Sequence, residues 1–199
     1  MAKEKTKKRI IHSNVIVIGL GRFGSSLARE LMKTGHEVLG VDTDERIVQN
    51  MSQELTQTVK ADTTDETTLR ELGITEFDSA VVAIGADLEA SILTTALLLQ
   101  LGVPNVWAKA NSTSHGLILD QLGCHHVIFP EYEMGKRVAH MVSGETLDYV
   151  PIDNDFVMVK SEVPASFAGK TLAELKIRST YGVTVVAVTT GDGKYTPAF

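Results

Sequence analysis

The chain has 199 residues, 43% hydrophobic and 22% charged, which is the balance of an ordinary globular protein with a substantial core. It carries 19 Lys and Arg against 25 Asp and Glu, and the first nine positions are strongly basic, so the body of the chain is acidic. An acidic body argues against nucleic acid as a partner. The absence of a long apolar run or a signal-peptide pattern, together with a single cysteine, leads us to expect a cytoplasmic protein.

Residues 1–13 form a basic arm, for which two interpretations stand. One is a flexible, solvated tail, and the other is an arm that contacts an acidic membrane face or an acidic partner.

From residue 14 the chain alternates short apolar runs with stretches of helical spacing. The pattern predicts six strands, at Val15–Ile18, Glu37–Val41, Gln57–Ala61, Ala80–Ile84, Val106–Ala110 and His126–Phe129. Helices are predicted between them, at 23–33, 45–54, 65–72, 88–101 and 114–122. Strands that alternate with helices predict an α/β fold, a Rossmann-like doubly wound parallel sheet of six strands within residues 14–132.

The pattern changes after residue 132. Residues 133–150 are predicted to form a crossover helix, Glu133–Val142, and a hinge at Ser143-Gly144. Residues 151–199 are predicted to form a small α+β C-terminal lobe, with strands at Val157–Val163 and Val183–Val188, a short helix near Leu172–Leu175 and a hairpin turn at Gly191-Asp192-Gly193. So few elements form a poor hydrophobic core by themselves. We therefore expect this lobe to be partial or to dock on a second copy.

A glycine motif follows the first predicted strand and begins a helix. In Gly19-Leu-Gly21-Arg-Phe-Gly24 the first two glycines permit a tight turn and a close approach of the backbone to phosphate, and the third permits close helix–strand packing. The helix N-terminus presents free N–H groups to an anion. With a strand before it, a helix after it and Asp42 eighteen residues on, the motif predicts a nucleotide site.

Further polar residues follow the predicted strands. Asp42 is predicted to bind ribose hydroxyls and to disfavour NADP, the alternative being a helix N-cap that Thr43 or Asp44 would also supply. Asp62-Thr63 is expected beside the adenine, with plain loop polarity as the alternative. The positive charge of Arg22, at the start of a helix, opposes the helix dipole. This position makes sense if Arg22 contacts a terminal phosphate, and the alternative is an exposed arginine without a role.

Glu131 follows the sixth predicted strand. A carboxylate beside bound phosphates would repel them unless a cation lay between, so Glu131 is a candidate contact for Mg²⁺ or Na⁺. The alternative is a solvated acid at the start of a helix.

An enzyme is the alternative class of function. An NAD-dependent oxidoreductase needs a substrate domain and an acid–base residue facing the nicotinamide, and about 55 residues follow the hinge. An NAD(H)-sensing transcriptional regulator would need a helix-turn-helix element, for which the N-terminal arm is too short. We therefore expect regulation and not catalysis.

The chain resembles the cytosolic regulatory subunits of Trk/Ktr potassium uptake systems, which are built on the RCK fold. The resemblance spans residues 13–199 and rests on the motifs at residues 15–24, 35–42, 80–87, 90–93, 106–111 and 129–135. It implies a cytoplasmic subunit at the inner face of the cell membrane, in dimers that assemble into octameric rings beneath a potassium-translocating subunit. It also implies switching by ATP and ADP, and in some members binding of NAD(H).

The resemblance further implies site residues. Arg22 matches the arginine at the terminal phosphate, Asp42 the ribose-binding acid and Glu131 the acid associated with a cation. The wider nucleotide set that it implies is Gly19, Gly21, Phe23, Gly24, Thr43, Asp62, Thr63, Ile84, Gly85, Ala86 and Lys109. Some relatives bind cyclic di-AMP in the C-terminal lobe, where Arg178 is the matching position.

Overall fold

The computed structural model describes residues 13–144, 147–153, 156–189 and 193–198. They divide into two compact units, the first ending at Met134 and the second beginning at Gly135. Except for Ser13, the predicted basic arm lies outside the described residues, as do Gly191 and Asp192 of the predicted hairpin turn. The domain boundaries stay a prediction.

The first unit is built on a six-stranded sheet in which every neighbouring pair is parallel. Its strand order is β3-β2-β1-β4-β5-β6, which confirms the predicted Rossmann-like fold. The strands are β1 (Asn14–Ile18), β2 (Glu37–Asp42), β3 (Gln57–Lys60), β4 (Ser79–Val82), β5 (Val106–Lys109) and β6 (His126–Ile128).

Both faces of this sheet are buried. Along β1, Ile16 and Ile18 pack into one apolar cluster, and Val15 and Val17 pack into another. This division follows the two-residue period of a strand, in which successive side chains point to opposite faces. Parallel strands that are buried on both faces therefore need continuous apolar runs and not an alternation of apolar and polar residues.

Helices connect the strands. They are α1 (Arg22–Lys33), α2 (Glu45–Met51), α3 (Glu66–Glu71), α4 (Leu88–Gln100), α5 (Thr113–Gln121) and α6 (Pro130–Val142). Four of them begin at a side chain that accepts a hydrogen bond from the first turn: Asp44, Asp65, Asp87 and Ser112. The helix α6 begins at Pro130, three residues before its predicted start, because proline suits the first helical turn.

Among its described residues, the second unit has the end of α6, two small antiparallel sheets, a 3-10 turn at Ala165–Phe167 and two short α-helices. The elements are β7 (Asp148–Asp153), β8 (Phe156–Lys160), α7 (Leu172–Leu175), α8 (Ile177–Tyr181), β9 (Ala187–Thr189) and β10 (Tyr195–Pro197). The strand β7 pairs with β8 and β9 pairs with β10. Two predictions need correction: the strand expected at 157–163 ends at Lys160, and the strand expected at 183–188 is the shorter β9.

The sequence patterns missed β7, α8 and β10 because these elements are short and largely exposed, so they lack a buried face to set a period. Within the described ranges, no helix has both the length and the apolar character needed to cross a membrane.

Candidate functional site

The three motif glycines have different physical reasons for being glycine. Gly19 has a φ of +90°, a conformation that disfavours other residues. A Cβ on Gly24 would lie 1.8 Å from the carbonyl oxygen of Gly19, so close packing excludes any side chain there. A Cβ on Gly21 would meet no described atom within 4 Å. Gly21 therefore leaves the backbone uncovered, so a ligand has room to approach it.

The N-terminus of α1 lies directly beside this opening. Gly21 is its N-cap residue and supplies no side-chain hydrogen bond, and the first turn contains no acid. The first N–H groups of the helix are therefore available to an anion, and the positive end of the helix dipole favours one. The helix after the glycine loop is where the sequence predicted it, and the contact of its N-terminus with a nucleotide phosphate stays a prediction.

Asp42 lies at the end of β2 and connects it to the glycine loop. Its Oδ2 accepts a hydrogen bond from the N–H of Leu20 at 2.7 Å, and its Oδ1 accepts one from the N–H of Asp44 at 2.9 Å. Asp44 is the N-cap of α2, so that role does not fall to Asp42 or to the exposed Thr43. A carboxylate at this position has further lone pairs with which to accept ribose hydroxyls.

Asp62 and Thr63, in the loop after β3, have different surroundings. Asp62 accepts hydrogen bonds from the N–H and the hydroxyl of Thr64, and these lower the pKa of its carboxyl. The Thr63 side chain is buried, and its hydroxyl lies 2.9 Å from that of Thr94. The structure thus places the Thr63 side chain in the interior, and Asp62 is the accessible member of this pair.

A second group of candidates meets where β5 and β6 end. The Lys109 ammonium forms an ion pair with Glu131 in the first turn of α6. It also lies 6.0 Å from the centre of the Phe23 ring, and a Cβ on Gly85 would lie 3.4 Å from it. The fold thereby brings together residues from α1, from the loop after β4, from β5 and from α6.

The electrostatics of this group extend to Arg22. The hydrogen bond from Lys109 is the main cause that lowers the pKa of the Glu131 carboxyl, and the positive charge of the exposed Arg22 lowers it further. Two cations therefore act on one carboxylate at the edge of the sheet where the glycine loop lies.

The loop after β4 carries three further candidates, namely Ile84, which is half-buried, and Gly85 and Ala86, which are exposed. The carbonyl of Gly85 accepts a hydrogen bond from the side-chain amide of Asn111, and the N–H of Asn111 lies 3.3 Å from Nδ1 of the buried His115. Neither Asn111 nor His115 was predicted from the sequence as a site residue. A polar residue just past the end of β5 is the signal by which Asn111 was detectable.

Arg178 is an exposed residue of α8 in the second unit, and its proposed contact with cyclic di-AMP stays a prediction. Glu131 has Lys109 as its partner, and the described residues include no group of three or more His, Cys, Asp or Glu side chains able to hold a metal ion.

A glycine loop at a helix N-terminus, with an acid at the end of the second strand of a parallel sheet, defines a Rossmann-type domain of the nucleotide-binding class. Residues 15–130 match the family model of the TrkA-N domain, and the chain belongs to this family.

Relatives and solved structures extend the match beyond this domain. The chain is 41% identical over 176 residues to Ktr system potassium uptake protein C of Bacillus subtilis, covering 88% of this chain and 80% of that protein. It is 39% identical over 181 residues to Ktr system potassium uptake protein A of the same organism, covering 90% and 82%.

Its fold resembles that of the GsuK channel bound to NAD, with a TM-score of 0.66 and 19% identity, over 94% of this chain and 34% of that one. It also resembles GsuK bound to ADP, with a TM-score of 0.56 and 17% identity, over 83% and 51%.

Proposed function

We propose that this chain is the nucleotide-binding regulatory subunit of a Ktr-type potassium uptake system, and that its nucleotide is a signal and not a reactant. The observation that carries the proposal is the open backbone at Gly21 beside the uncapped N-terminus of α1, in a chain that spans most of two Ktr proteins. That arrangement suits a phosphate. The Ktr relatives support the role of a subunit in a potassium transport system.

ATP and ADP are the proposed switching ligands, with NAD(H) as a further ligand. The glycine loop suits the phosphates that all three share, and Asp42 suits a ribose with a free 2′-hydroxyl. Arg22 and Lys109 add positive charge, which suits the more highly charged ATP. Two fold neighbours, GsuK bound to NAD and GsuK bound to ADP, are consistent with this choice.

The test is a set of calorimetric titrations of purified protein with ATP, ADP, NADH and NAD⁺, together with an assay for hydride transfer. We expect binding of ATP and ADP and no nicotinamide-dependent turnover. The oxidoreductase alternative predicts the reverse, so robust hydride transfer to a small carbonyl compound would overturn the proposal.

We further propose that Glu131 takes part in holding Mg²⁺ or Na⁺ when ATP is bound. At roughly 4 Å, a carboxylate and a phosphate charge repel by about 4 kcal/mol at an effective dielectric of 20. A cation bridging their oxygens would remove this repulsion. Glu131→Gln should therefore reduce the effect of added cation on ATP affinity and leave ADP nearly unchanged. Equal wild-type ATP affinity in chelator and in millimolar cation would contradict this.

The proposed partners are further copies of the chain, a dimer that assembles into an octameric ring, and a potassium-translocating membrane subunit at the inner face of the cell membrane. The second unit supports assembly because large apolar side chains of its strands are exposed, among them Val150, Ile152, Phe156 and Met158. Sedimentation should show at least a dimer at micromolar concentration, and a stable monomer would contradict the proposal.

A contact between Arg178 and cyclic di-AMP is the remaining proposal for the second unit. Arg178→Ala should weaken binding of cyclic di-AMP and leave ATP affinity unchanged. Identical cyclic di-AMP affinity in both proteins would exclude Arg178 from that site.

A further inference from the structure

The ion pair between Lys109 and Glu131 is unequal in its exposure to solvent. The side chain of Lys109 is 10% exposed, whereas that of Glu131 is 66% exposed. The two partners therefore differ in what separation would cost them. Glu131 can exchange its partner for water at little cost, as exposed carboxylates do. A buried ammonium that loses its partner is left with an uncompensated charge.

Lys109 also has unused capacity to donate. An ammonium carries three N–H groups, and Glu131 is the acceptor that the described part of the chain offers it. Near it lie Gly85, which has no side chain to cover it, and the ring of Phe23, from the first turn of α1. Lys109 is thus a buried cation beside the helix whose N-terminus is open to an anion.

We propose that Glu131 is a built-in competitor of the nucleotide, holding the Lys109 ammonium until a phosphate of the nucleotide replaces it. This inference rests on the proposed nucleotide-binding function. Glu131 orients the Lys109 ammonium in the free protein. A bound phosphate brings more negative charge and several acceptor oxygens, and it takes over the ammonium while the carboxylate is released to solvent.

The exchange has a consequence for affinity. Part of the binding free energy is used to separate the ion pair, so removing the charge of Glu131 should strengthen ATP binding when no divalent cation is present. The released carboxylate is also the group proposed above to meet a cation, so exchange of Lys109 for a cation would couple ATP and cation binding in one step.

The test is a calorimetric titration of the full chain with ATP in EDTA and a potassium buffer. For Glu131→Gln we expect a three- to tenfold gain in ATP affinity, roughly the net range of one ordinary hydrogen bond. Glu133→Gln is the matched control, because it removes the same charge from an exposed acid two residues along α6, and we expect a change of less than about twofold.

Two further variants separate competition from simple repulsion. In a Lys109→Met background, Glu131→Gln should give a smaller gain, since there is no ammonium to release, whereas repulsion alone predicts the same gain in both backgrounds. Glu131→Asp keeps the charge and shortens the side chain, so competition predicts a gain, and repulsion predicts a smaller one because the charge remains. An ATP affinity of Glu131→Asp no higher than that of wild-type protein contradicts the inference even if Lys109→Met fails to fold.

Each outcome has a clear meaning. An ATP affinity of Glu131→Gln that is unchanged or weaker in EDTA overturns the inference, and so does an equal gain in both backgrounds. If wild-type protein binds ATP, either result leaves the proposed function intact. A wild-type protein that binds none of ATP, ADP, NADH and NAD⁺ overturns both.

Discussion

The carboxylate of Asp42 accepts a 2.7 Å hydrogen bond from the backbone N–H of Leu20, inside the glycine loop. Its other oxygen accepts from the N–H of Asp44, the N-cap of α2. One side chain thus connects the loop after β1 with the end of β2 and the start of α2. Asp42 therefore shapes the loop as well as lying where a ribose is expected.

Replacing Asp42 should lower stability as well as nucleotide affinity. We expect Asp42→Ala to reduce the free energy of unfolding by about 1.5 to 3 kcal/mol, because hydrogen bonds to a charged group are lost and two N–H donors lose an acceptor. Asp42→Asn keeps one accepting oxygen and should lose less. Urea denaturation measures both, and an unchanged midpoint for Asp42→Ala would show that the loop does not depend on this carboxylate.

Two glycine substitutions in one motif should have opposite effects. A Cβ at Gly24 collides with the carbonyl of Gly19, so Gly24→Ala should destabilise the fold by about 3 kcal/mol or more. Gly21→Ala has space and a φ of −62°, so stability should change by less than about 0.5 kcal/mol. Its methyl group should nevertheless weaken ATP binding at least about tenfold by occupying the approach to α1. Thermal melts and calorimetric titrations of both variants test this prediction. Normal ATP affinity of Gly21→Ala would show that the phosphates do not bind at this opening.

Arg22 should distinguish ATP from ADP. It is exposed in the first turn of α1, and its charge acts on Glu131, which places it near the second group of candidate residues. Loss of a charge-assisted contact to a terminal phosphate should weaken ATP binding about tenfold or more and ADP binding less. Arg46→Ala is the matched control, because it removes an exposed cation from the first turn of α2. Equal losses for ATP and ADP in Arg22→Ala would place Arg22 away from that phosphate.

Stability should fall in mild acid because of His115. This side chain is buried, its Nδ1 faces the N–H of Asn111, and its Nε2 has no hydrogen-bond partner among the described residues. Burial lowers its pKa below the ordinary value near 6.5. The unfolded chain then binds more protons than the folded one between those two pKa values. The contribution is therefore fully present above pH 6.5 and is lost as the pH falls toward the folded-state pKa.

Urea denaturation between pH 7.5 and 5.5 tests this contribution of His115. The midpoint for wild-type protein should decrease on acidification, and His115→Gln should flatten that decrease, since glutamine does not titrate. An equal pH dependence in both proteins would assign the effect to other groups.

The sequence predicted the first unit well because most of its elements have a buried face, although β3 and β6, at the edges of the sheet, are only partly buried. Apolar runs identified all six strands, and Asp44, Asp65, Asp87 and Ser112 are capping residues at the helix starts. In the second unit the strands are exposed and short, so β7 and β10 left no periodic signal. Hydrophobic periodicity in the sequence reflects the burial of one face of an element, so it does not identify elements that are exposed within the chain.

The parallel sheet, the glycine loop and the acid at the end of β2 were predictable from the residues alone, because each depends on neighbours along the chain or on the order of elements. Which side chains meet depends instead on how the elements pack. Lys109 and Glu131 lie on different elements and pair because β5 and β6 are adjacent and end at the same edge. The packing of the elements also turned Thr63 inward toward Thr94. Contacts between distant residues depend on how elements pack, and no local spacing encodes them.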